Sequence, residues 1–356
     1  MNKIIHVVGN RPQFIKLAVL FNEIAGNSDI EQTIVHSGQH YSYNMSELFF
    51  KELHIPPADI NFNINALSRD QFIIEAAERF EKYFKENKDS AVLVYGDTNT
   101  TLAAAEAANK TGLPLLHFEA GVRTYDNTMP EEMNRVRTDS LSDVNYCCTA
   151  KNYATMQAEG YGTAIKNDLV LTGDLMLDAF LKIEPAENIS VPHNEYVLCT
   201  IHREANLINN ESLKHIIEAL NEIHLVIPVL LPLHPHTKRR IEEYGLVSKF
   251  EMLPPLGYPE MKHLLMKAKA VITDSGGMSR EAYFAQKRSV IIMDEVFWPE
   301  ISEMNCSLKS SANKDMIVES FYNLPNLNAD FTTRIFGNGK ASGNILRHLN
   351  EYLPSV

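Results

Sequence analysis

Positive charge is scarce in this sequence: 33 lysine and arginine residues face 45 aspartate and glutamate residues, giving a formal net charge of −12. General nucleic-acid-binding proteins carry a surplus of basic side chains, so this balance argues against that class. Long apolar runs are also missing, since none approaches the roughly 18 residues that a membrane-spanning helix requires. We therefore expect neither nucleic acid nor a membrane as a partner, and any phosphorylated ligand must meet positive charge supplied locally.

Cysteine is also scarce, and its four positions lack the spacing of a metal site. Three of the four lie in apolar contexts typical of strands, so we expect buried free thiols in a reducing compartment. The cysteines are Cys147, Cys148, Cys199 and Cys306. The stretch from Met1 to Val8 is too short for the apolar region of a signal peptide, so we expect a cytoplasmic protein.

The length of 356 residues is too great for one ordinary domain and suits two. Apolar strand segments alternate with helical patterns through both halves, which predicts an α/β protein with parallel, doubly wound sheets. The periodicity is lost between Pro185 and Pro192, which indicates a linker. We expect a first domain over residues 1–175, completed by a terminal helix over 341–356, and a second domain over 176–340.

The stretch Thr273 to Ala282 is the most informative part of the chain. An apolar strand ends at its start, Ser275-Gly276-Gly277 follows, and a helical pattern begins at Met278. A helix N-terminus reached through small residues can bind phosphate, because backbone N–H groups point outward and glycine permits close approach. Glu281, one turn into the helix, suits a ribose diol. An ordinary capped turn is the alternative interpretation, which the other motifs make less favourable.

A related arrangement opens the chain. An apolar strand over Lys3 to Val8 is followed by a turn and by a helix in which Pro12 suits the first position. Arg11 and Lys16 then lie near the helix N-terminus, at the sheet edge where open α/β sheets bind ligands. Either could be a solvated surface charge. Arg11, which precedes a proline, is the stronger candidate for a binding role.

Three acidic residues fall at the same kind of position. Asp97 and Glu119 each follow a buried strand, and Glu131 stands with Glu132 at a helix start after Pro130. Each of them alone could be a helix cap. Because the carboxyl ends of parallel strands share one sheet edge, we expect the acids to converge where ligands bind, as acid/base chemistry would need.

Histidines follow two strands of the second half. His202 is flanked by Arg203 and Glu204 at a strand end, which favours a functional role over a structural one. His234 and His236 follow another strand, but no carboxylates lie nearby at metal-ligand spacing. We therefore expect no metal site.

Together and in this order, the motifs resemble the non-hydrolysing UDP-N-acetylglucosamine 2-epimerases, and the similarity runs from end to end. The matching stretches are Arg11-Pro12 with Lys16, Gly38-Gln39-His40, Gly96-Asp97-Thr98, Glu119-Ala120-Gly121, Pro130-Glu131-Glu132 with Asn134-Arg135, Thr200 with His202-Arg203, Thr273-Asp274-Ser275-Gly276-Gly277 with Glu281-Ala282, and Gly337 with Gly339-Lys340-Ala341. The resemblance implies the GT-B fold, with two Rossmann-like domains and the active site in the cleft between them. It also implies a homodimer.

The resemblance further implies the reaction. The C2 proton of the hexosamine is removed while UDP leaves C1, and UDP adds back to the 2-acetamidoglucal as a proton reaches the opposite face. This interconverts UDP-N-acetylglucosamine and UDP-N-acetylmannosamine for surface polysaccharide biosynthesis, with no redox cofactor.

The family's site residues carry over position by position. Asp97, Glu119 and Glu131 take the acid/base roles, with acid and base left unassigned, and His202 stabilises the diphosphate. The substrate-binding residues are Arg11, Lys16, Arg135, Arg203, His234, Ser275, Gly276, Gly277 and Glu281.

The sequence also departs from the family pattern. Val296-Phe297-Trp298-Pro299-Glu300 stands where the best-known members have Thr-Glu-Arg-Pro-Glu, so Trp298 replaces an arginine that would meet the nucleotide. The stretches Tyr41 to Ser46 and Met129 to Arg135 look more like the subgroup acting on UDP-2,3-diacetamido uronic acids. Ser42 stands where members regulated by UDP-N-acetylglucosamine carry a second glutamine. Substrate identity and allosteric activation therefore stay open.

Two other function classes compete. A glycosyltransferase of the same fold would need an acceptor groove instead of three acids at the sugar, and a nucleotide-sugar sensor would have no use for a buried acid cluster.

The acids lie in the first half and the Ser275 turn in the second, so we expect the domains to close on the ligand, hinging near Asp174. Trp298 is expected to pack near the nucleotide by stacking.

Overall fold

The computed structural model describes residues 2–38, 50, 52–64, 68–187, 189, 191, 193–233 and 235–355. Its contacts divide the chain into two compact units, the first comprising Met1–Ile183 with Ile335–Val356 and the second Glu184–Arg334. The first unit thus runs past residue 175, because helix Leu175–Lys182 packs on the first and last helices of the chain. In the described part of the chain, no helix is both long and apolar enough to cross a bilayer.

The first unit alternates strands and helices. Its strands are β1 (Lys3–Val8), β2 (Glu31–His36), β3 (Ile60–Asn61), β4 (Ala91–Tyr95), β5 (Leu115–Ala120), β6 (Val144–Cys147) and β7 (Asp168–Leu171). Its helices are α1 (Arg11–Asn27), α2 (Arg69–Glu86), α3 (Asn99–Thr111), α4 (Pro130–Leu141), α5 (Ala150–Ala158) and α6 (Leu175–Lys182), with the terminal helix Ala341–Tyr352. Most of its strand residues are buried, as expected for a parallel sheet covered on both faces.

The seven strands form one sheet in the order β3-β2-β1-β4-β5-β6-β7, with every pair parallel. The direction of winding reverses between β1 and β4. Open α/β sheets leave a crevice at such a point, outside the carboxyl ends of the strands. Arg11, the first residue of α1, follows the turn after β1, and Asp97 lies in the turn after β4, so two candidate residues lie at this reversal point.

The second unit repeats the plan. Its strands are β8 (Val197–Thr200), β9 (Val229–Pro232), β10 (Glu251–Leu253), β11 (Ala270–Thr273), β12 (Ser289–Ile292) and β13 (Ser307–Ser310). Its helices are α7 (Glu204–Ile208), α8 (Asn210–His224), α9 (Pro235–Glu243), α10 (Tyr258–Lys267), α11 (Gly276–Phe284), α12 (Pro299–Glu303) and α13 (Lys314–Asn323).

The sheet of the second unit has the order β10-β9-β8-β11-β12-β13, again with every pair parallel. Its winding reverses between β8 and β11. His202 follows β8 and Ser275 follows β11, so these candidates also lie at a reversal point. Two α/β units with parallel, doubly wound sheets confirm the fold class predicted from the alternation of elements.

The terminal helix, α14 (Ala341–Tyr352), packs in the first unit through a capping carboxylate. Asp178 of α6 is fully buried and accepts hydrogen bonds from the backbone N–H groups of Ala341 at 3.0 Å and Ser342 at 2.8 Å. It also accepts one from the Ser342 hydroxyl at 2.7 Å. A carboxylate satisfies the exposed N–H groups of a helix start, which anchors a segment remote in sequence.

Candidate active site

Gln13 links the turns on either side of the first reversal point. Its side-chain oxygen accepts hydrogen bonds from the backbone N–H groups of Gly9 at 2.7 Å and Asn10 at 3.2 Å. Its amide nitrogen donates to the carbonyl of Tyr95 at 2.8 Å and to the hydroxyl of Thr98 at 3.0 Å. Gln13 is almost fully buried, so the turn before Arg11 and the turn that carries Asp97 are held in one arrangement.

Glu119 stands at a β-bulge and pairs with Lys16. The pairing of β5 with β6 shifts register between Phe118 and Ala120, and Glu119 between them has a φ of +79°. A positive φ is uncommon outside glycine, and bulges beside ligand sites re-aim side chains. The Nζ of Lys16 donates a hydrogen bond to Glu119, whose side chain is only 12% exposed. The structure therefore brings Lys16 and Glu119 together.

Gly96 connects this pair to Asp97. Its φ is +64°, and a Cβ added there would lie 3.3 Å from Nζ of Lys16 and 3.8 Å from Oε2 of Glu119. A side chain at this position would be strained by the backbone and would crowd the ion pair. Gly96, which lies against the Lys16–Glu119 pair, directly precedes Asp97 in the chain.

Arg135 bridges two carboxylates. One guanidinium nitrogen donates to Asp97 and the other donates to Oε2 of Glu132 at 2.6 Å. Arg135 and Glu132 each have side chains 2% exposed, whereas Asp97 is 29% exposed. Asn134 adds a hydrogen bond from its amide nitrogen to the carbonyl of Asp97 at 2.9 Å. Asp97 is therefore oriented from α4 and keeps an accessible face.

The structure distinguishes the neighbouring Glu131 and Glu132. Glu132 accepts hydrogen bonds from the backbone N–H groups of Thr124 and Tyr125, both at 3.0 Å. Burial alone would raise the pKa of Glu132, but the hydrogen bonds from Thr124 and Arg135 outweigh it and lower the pKa below its usual value. Glu131 is half-buried in the first turn of α4. Glu132 thus forms a buried ion pair with Arg135, and the sequence analysis did not predict a role for it. Its spacing of three residues from Arg135 on one helix could have indicated the pair.

A second buried charge cluster lies next to the acids. His117 of β5 approaches the Gly96 carbonyl with Nε2 at 2.9 Å and Asp139 with Nδ1 at 2.8 Å. Arg123 donates to the other oxygen of Asp139 at 2.6 Å. Burial alone would raise the pKa of Asp139, but His117 and Arg123 outweigh it and lower the pKa. None of these three residues was selected from the sequence, because their contacts depend on tertiary structure.

In the second unit, Ser275 caps α11. Its hydroxyl accepts a hydrogen bond from the backbone N–H of Met278 at 3.2 Å, which is the ordinary capping arrangement considered from the sequence. A Cβ on Gly276 would lie 2.4 Å from Cδ2 of Phe297, so this glycine makes room for an aromatic ring. Around Gly277 the nearest such contact is Ser275 itself, at 3.6 Å. Of the two glycines, Gly277 is the one with room for an approaching anion.

His202 is held by Asp274. The carboxylate of Asp274 is fully buried and accepts hydrogen bonds from the backbone N–H groups of His202 at 3.0 Å and Arg203 at 2.9 Å. It also lies 3.3 Å from Nδ1 of His202, whose side chain is 49% exposed. Burial alone would raise the pKa of Asp274, but the His202 ring, the Arg203 N–H and the Asn206 amide outweigh it and lower the pKa.

Two aromatic residues pair with arginines beside α11. The Arg280 guanidinium lies 4.4 Å from the ring centroid of Trp298, and Arg203 lies 5.4 Å from that of Phe297. Trp298 is only 2% exposed and Arg280 only 4% exposed. The Trp298 indole therefore packs against an arginine in the interior of the unit.

Glu281, the candidate ribose ligand, is buried in α11. Lys262 lies within electrostatic range: burial lowers the pKa of Lys262, and the charges of Glu184 and Glu281 oppose that effect. His234 lies outside the described residues, as do Gln39, His40 and the stretch from Tyr41 to Ser46. Across the described ranges, no group of three or more His, Cys, Asp or Glu side chains is placed to hold a metal ion.

Two parallel sheets of Rossmann strand order, each with candidate residues where its winding reverses, define a protein of the two-domain GT-B class. Residues 22–350 match the family described as UDP-N-acetylglucosamine 2-epimerase. The chain belongs to this family of non-hydrolysing 2-epimerases and is an isomerase. The family resemblance predicted from the motifs is confirmed.

Three relatives illustrate the match. The chain is 38% identical over 353 residues to the UDP-2,3-diacetamido-2,3-dideoxy-D-glucuronate 2-epimerase of Pseudomonas aeruginosa, covering 98% of this chain and 99% of that protein. The Methanocaldococcus jannaschii UDP-GlcNAc 2-epimerase, crystallised with UDP-GlcNAc and UDP, matches with a TM-score of 0.89 at 30% identity and covers 98% and 99% of the two chains. The S. aureus MnaA co-structure with UDP gives a TM-score of 0.88 at 25% identity and covers 100% and 98%.

Proposed function

We propose that this protein interconverts UDP-N-acetylglucosamine and UDP-N-acetylmannosamine by eliminating UDP and adding it back. A base removes the C2 proton while the C1–O bond breaks, so the C2–H electron pair forms the C1=C2 double bond of 2-acetamidoglucal and UDP departs. UDP oxygen then bonds to C1 while an acid delivers a proton to the opposite face of C2. The match of the family over almost the whole chain carries this proposal.

The first unit would supply the proton-transfer groups. Asp97, Glu119 and Glu131 are the proposed acid/base residues, two of which exchange the C2 proton, one on each face of the sugar. Buried cations hold Asp97 and Glu119 in single orientations, as proton transfer in a defined direction needs. Arg11, Lys16 and Arg135 would supply positive charge near the substrate and the departing diphosphate; these three form the cationic side of the proposed site.

The second unit would hold the nucleotide. The N-terminus of α11 presents backbone N–H groups for a phosphate next to Gly277, and Glu281 would bind the ribose diol. His202 would stabilise the diphosphate as it leaves C1. Arg203 and His234 are proposed as further substrate contacts.

A 2,3-diacetamido uronate is the second candidate substrate. The P. aeruginosa relative named for that sugar is 38% identical over 98% of this chain, whereas a methanogen UDP-N-acetylglucosamine 2-epimerase is 32% identical over 96% of it. The Met129 to Arg135 stretch also resembles that subgroup. The same elimination and re-addition applies to both sugars, so the difference concerns groups at C3 and C6 only.

One experiment tests reaction and substrate together. Each UDP-sugar is incubated with the protein in heavy water, without added NAD or metal, and the products are read by NMR. We expect the 2-epimer to form with deuterium at C2. Product that retains its C2 hydrogen would reject the proposed mechanism. Sugar transfer to an added acceptor, with no epimer formed, would favour a glycosyltransferase, and binding without turnover would favour a sensor.

We further propose that the protein works in the cytoplasm as a homodimer, serving surface polysaccharide biosynthesis. Helices α2 and α4 of the first unit expose apolar side chains that an interface could cover, namely Ile74, Met133 and Val136. Light scattering coupled to size exclusion tests this proposal. A monomeric mass at micromolar concentration would reject it.

A further inference from the structure

Asp274 connects two parts of the second unit to which the proposed function assigns binding of the diphosphate: the turn after β8 and the N-terminus of α11. It follows the last residue of β11 and precedes Ser275, the cap of α11. Across the reversal point, its carboxylate accepts hydrogen bonds from the backbone of His202 and Arg203, after β8. The strand ends are joined as well, since the hydroxyls of Thr200 and Thr273 lie 2.6 Å apart. Asp274 thus sets where the His202 turn lies relative to the α11 N-terminus.

The Asp274 carboxylate also lies close to the His202 ring. Its Oδ1 lies 3.3 Å from Nδ1, while Oδ2 accepts a hydrogen bond from the Asn206 amide at 3.1 Å. An imidazole that donates Nδ1–H to a buried carboxylate has its tautomer and ring plane set, and its Nε2 edge points the other way. The ring remains 49% exposed, although the carboxylate has no exposure. A buried charge therefore orients an accessible group.

We propose that Asp274 is a positioning residue, which accepts the Nδ1–H of His202 and thereby favours the doubly protonated ring, whose Nε2–H faces the departing diphosphate. This inference rests on the proposed function, because it assumes that His202 stabilises the leaving group. The same physical reason holds for any imidazole that reacts while one ring nitrogen is hydrogen-bonded to a carboxylate. The carboxylate does not touch the substrate; it orients the ring and stabilises the imidazolium that faces developing negative charge.

The chain offers a matched control. Asp178 is equally buried and also accepts two backbone N–H hydrogen bonds and one from a side chain, but it caps the terminal helix in the first unit. Asp274→Asn and Asp178→Asn therefore make the same chemical change in similar surroundings. Any general cost of removing a buried carboxylate should appear in both variants.

The kinetic test compares these variants at a temperature where both remain folded by near-UV circular dichroism. We expect Asp274→Asn to lower kcat at least about tenfold with a smaller change in KM, and Asp178→Asn to stay within about threefold of wild type. His202→Ala completes a double-mutant cycle. If Asp274 acts through His202, Asp274→Asn should lower kcat by less than about threefold in the His202→Ala background. An equal loss in both backgrounds, or no loss in wild type, would overturn the inference.

A spectroscopic test does not depend on turnover. The ring nitrogens of His202 are observed by NMR in protein labelled with ¹⁵N-histidine, and they are identified by their loss in His202→Ala. We expect Nδ1 to carry the proton in wild type and the Nε2–H tautomer to gain population in Asp274→Asn. Wild type with an unprotonated Nδ1 would overturn the inference even if the protein epimerises. Wild type that turns over neither UDP-sugar would reject the proposed function instead.

Discussion

Lys16 of α1 and Glu119 of β5 form an ion pair shielded from water, with side chains 5% and 12% exposed. The two residues are far apart in sequence, and the bulge at Glu119 places its side chain next to Lys16 and the Gly96 position. The ion pair with Lys16 restricts the orientation of the Glu119 carboxylate. The backbone conformation at Glu119 therefore helps to place its carboxylate.

Glu119→Gln keeps the shape of the side chain and removes its capacity to exchange a proton. We expect kcat to fall by roughly 10²- to 10⁴-fold, the usual contribution of a general acid or base, with little change in UDP affinity. Kinetics by NMR and calorimetry with UDP measure the two quantities. Glu106→Gln is the control, because Glu106 pairs with Arg137 on the surface. Wild-type kcat in Glu119→Gln would remove Glu119 from the proposed chemistry.

The adjacent residues Glu131 and Glu132 should respond oppositely to the same change. Glu132→Gln breaks a buried pair with Arg135, which should lower the free energy of unfolding by about 3–5 kcal/mol. Glu131→Gln should leave that free energy within about 0.5 kcal/mol of wild type, because its side chain is half-buried, yet lower kcat. Urea denaturation and NMR kinetics test both variants. A stable, active Glu131→Gln together with a stable, inactive Glu132→Gln would assign proton exchange to Glu132 and remove it from Glu131.

Trp298→Arg should destabilise the second unit. The change replaces a ring stacked on Arg280 with a second guanidinium in an interior position, so the cation–π contact is lost and like charges meet. We expect a loss of at least about 2 kcal/mol in the free energy of unfolding. Trp298→Phe is the control, since a ring stays over Arg280. Calorimetry with UDP on folded Trp298→Arg separately tests whether the indole contacts the nucleotide, as expected from the sequence; unchanged affinity would show that it does not.

The stability of the first unit should depend on pH through His6. Burial lowers the pKa of His6 to about 4, against about 6.5 in an unfolded chain, while its hydrogen bond to Gln32 acts the other way. Because the folded-state pKa is depressed, the unfolded chain binds the proton more tightly. Stability is therefore lost as pH falls from about 6.5 to 4, by about 3 kcal/mol from this residue.

Urea denaturation at several pH values measures this effect. The difference in unfolding free energy between wild type and His6→Gln should shrink as pH falls through that window. His215→Gln, on the half-exposed face of α8, serves as the control and should follow wild type. A difference between His6→Gln and wild type that does not vary with pH would contradict the assignment of acid sensitivity to His6.

The amino-acid sequence determined the architecture and the family. Alternating apolar segments predict parallel, doubly wound sheets because periodicity and burial are coupled over a few residues, and these sheets are present. Cap and turn signals are equally local: Ser275 is the N-cap of α11, and α1 begins directly after the turn that follows β1, with Pro12 in its first turn. The sequence also places Asp97 and His202 after the carboxyl ends of strands, and the structure shows that both follow strands at the reversal points.

Only the tertiary structure decided which side chains meet. Local patterns cannot tell Glu131 from Glu132, since both are acids in one helical turn, and only the position of Arg135 relative to Thr124 separates them. Gly276 stays a predicted phosphate-binding residue, and only the structure shows that its missing Cβ also makes room for Phe297, twenty-one positions further along the chain. The bulge at Glu119 and the contacts of Asp274 likewise depend on residues remote in sequence. Such contacts depend on how whole helices and strands pack against one another, and a short stretch of sequence does not determine the free energy of that packing.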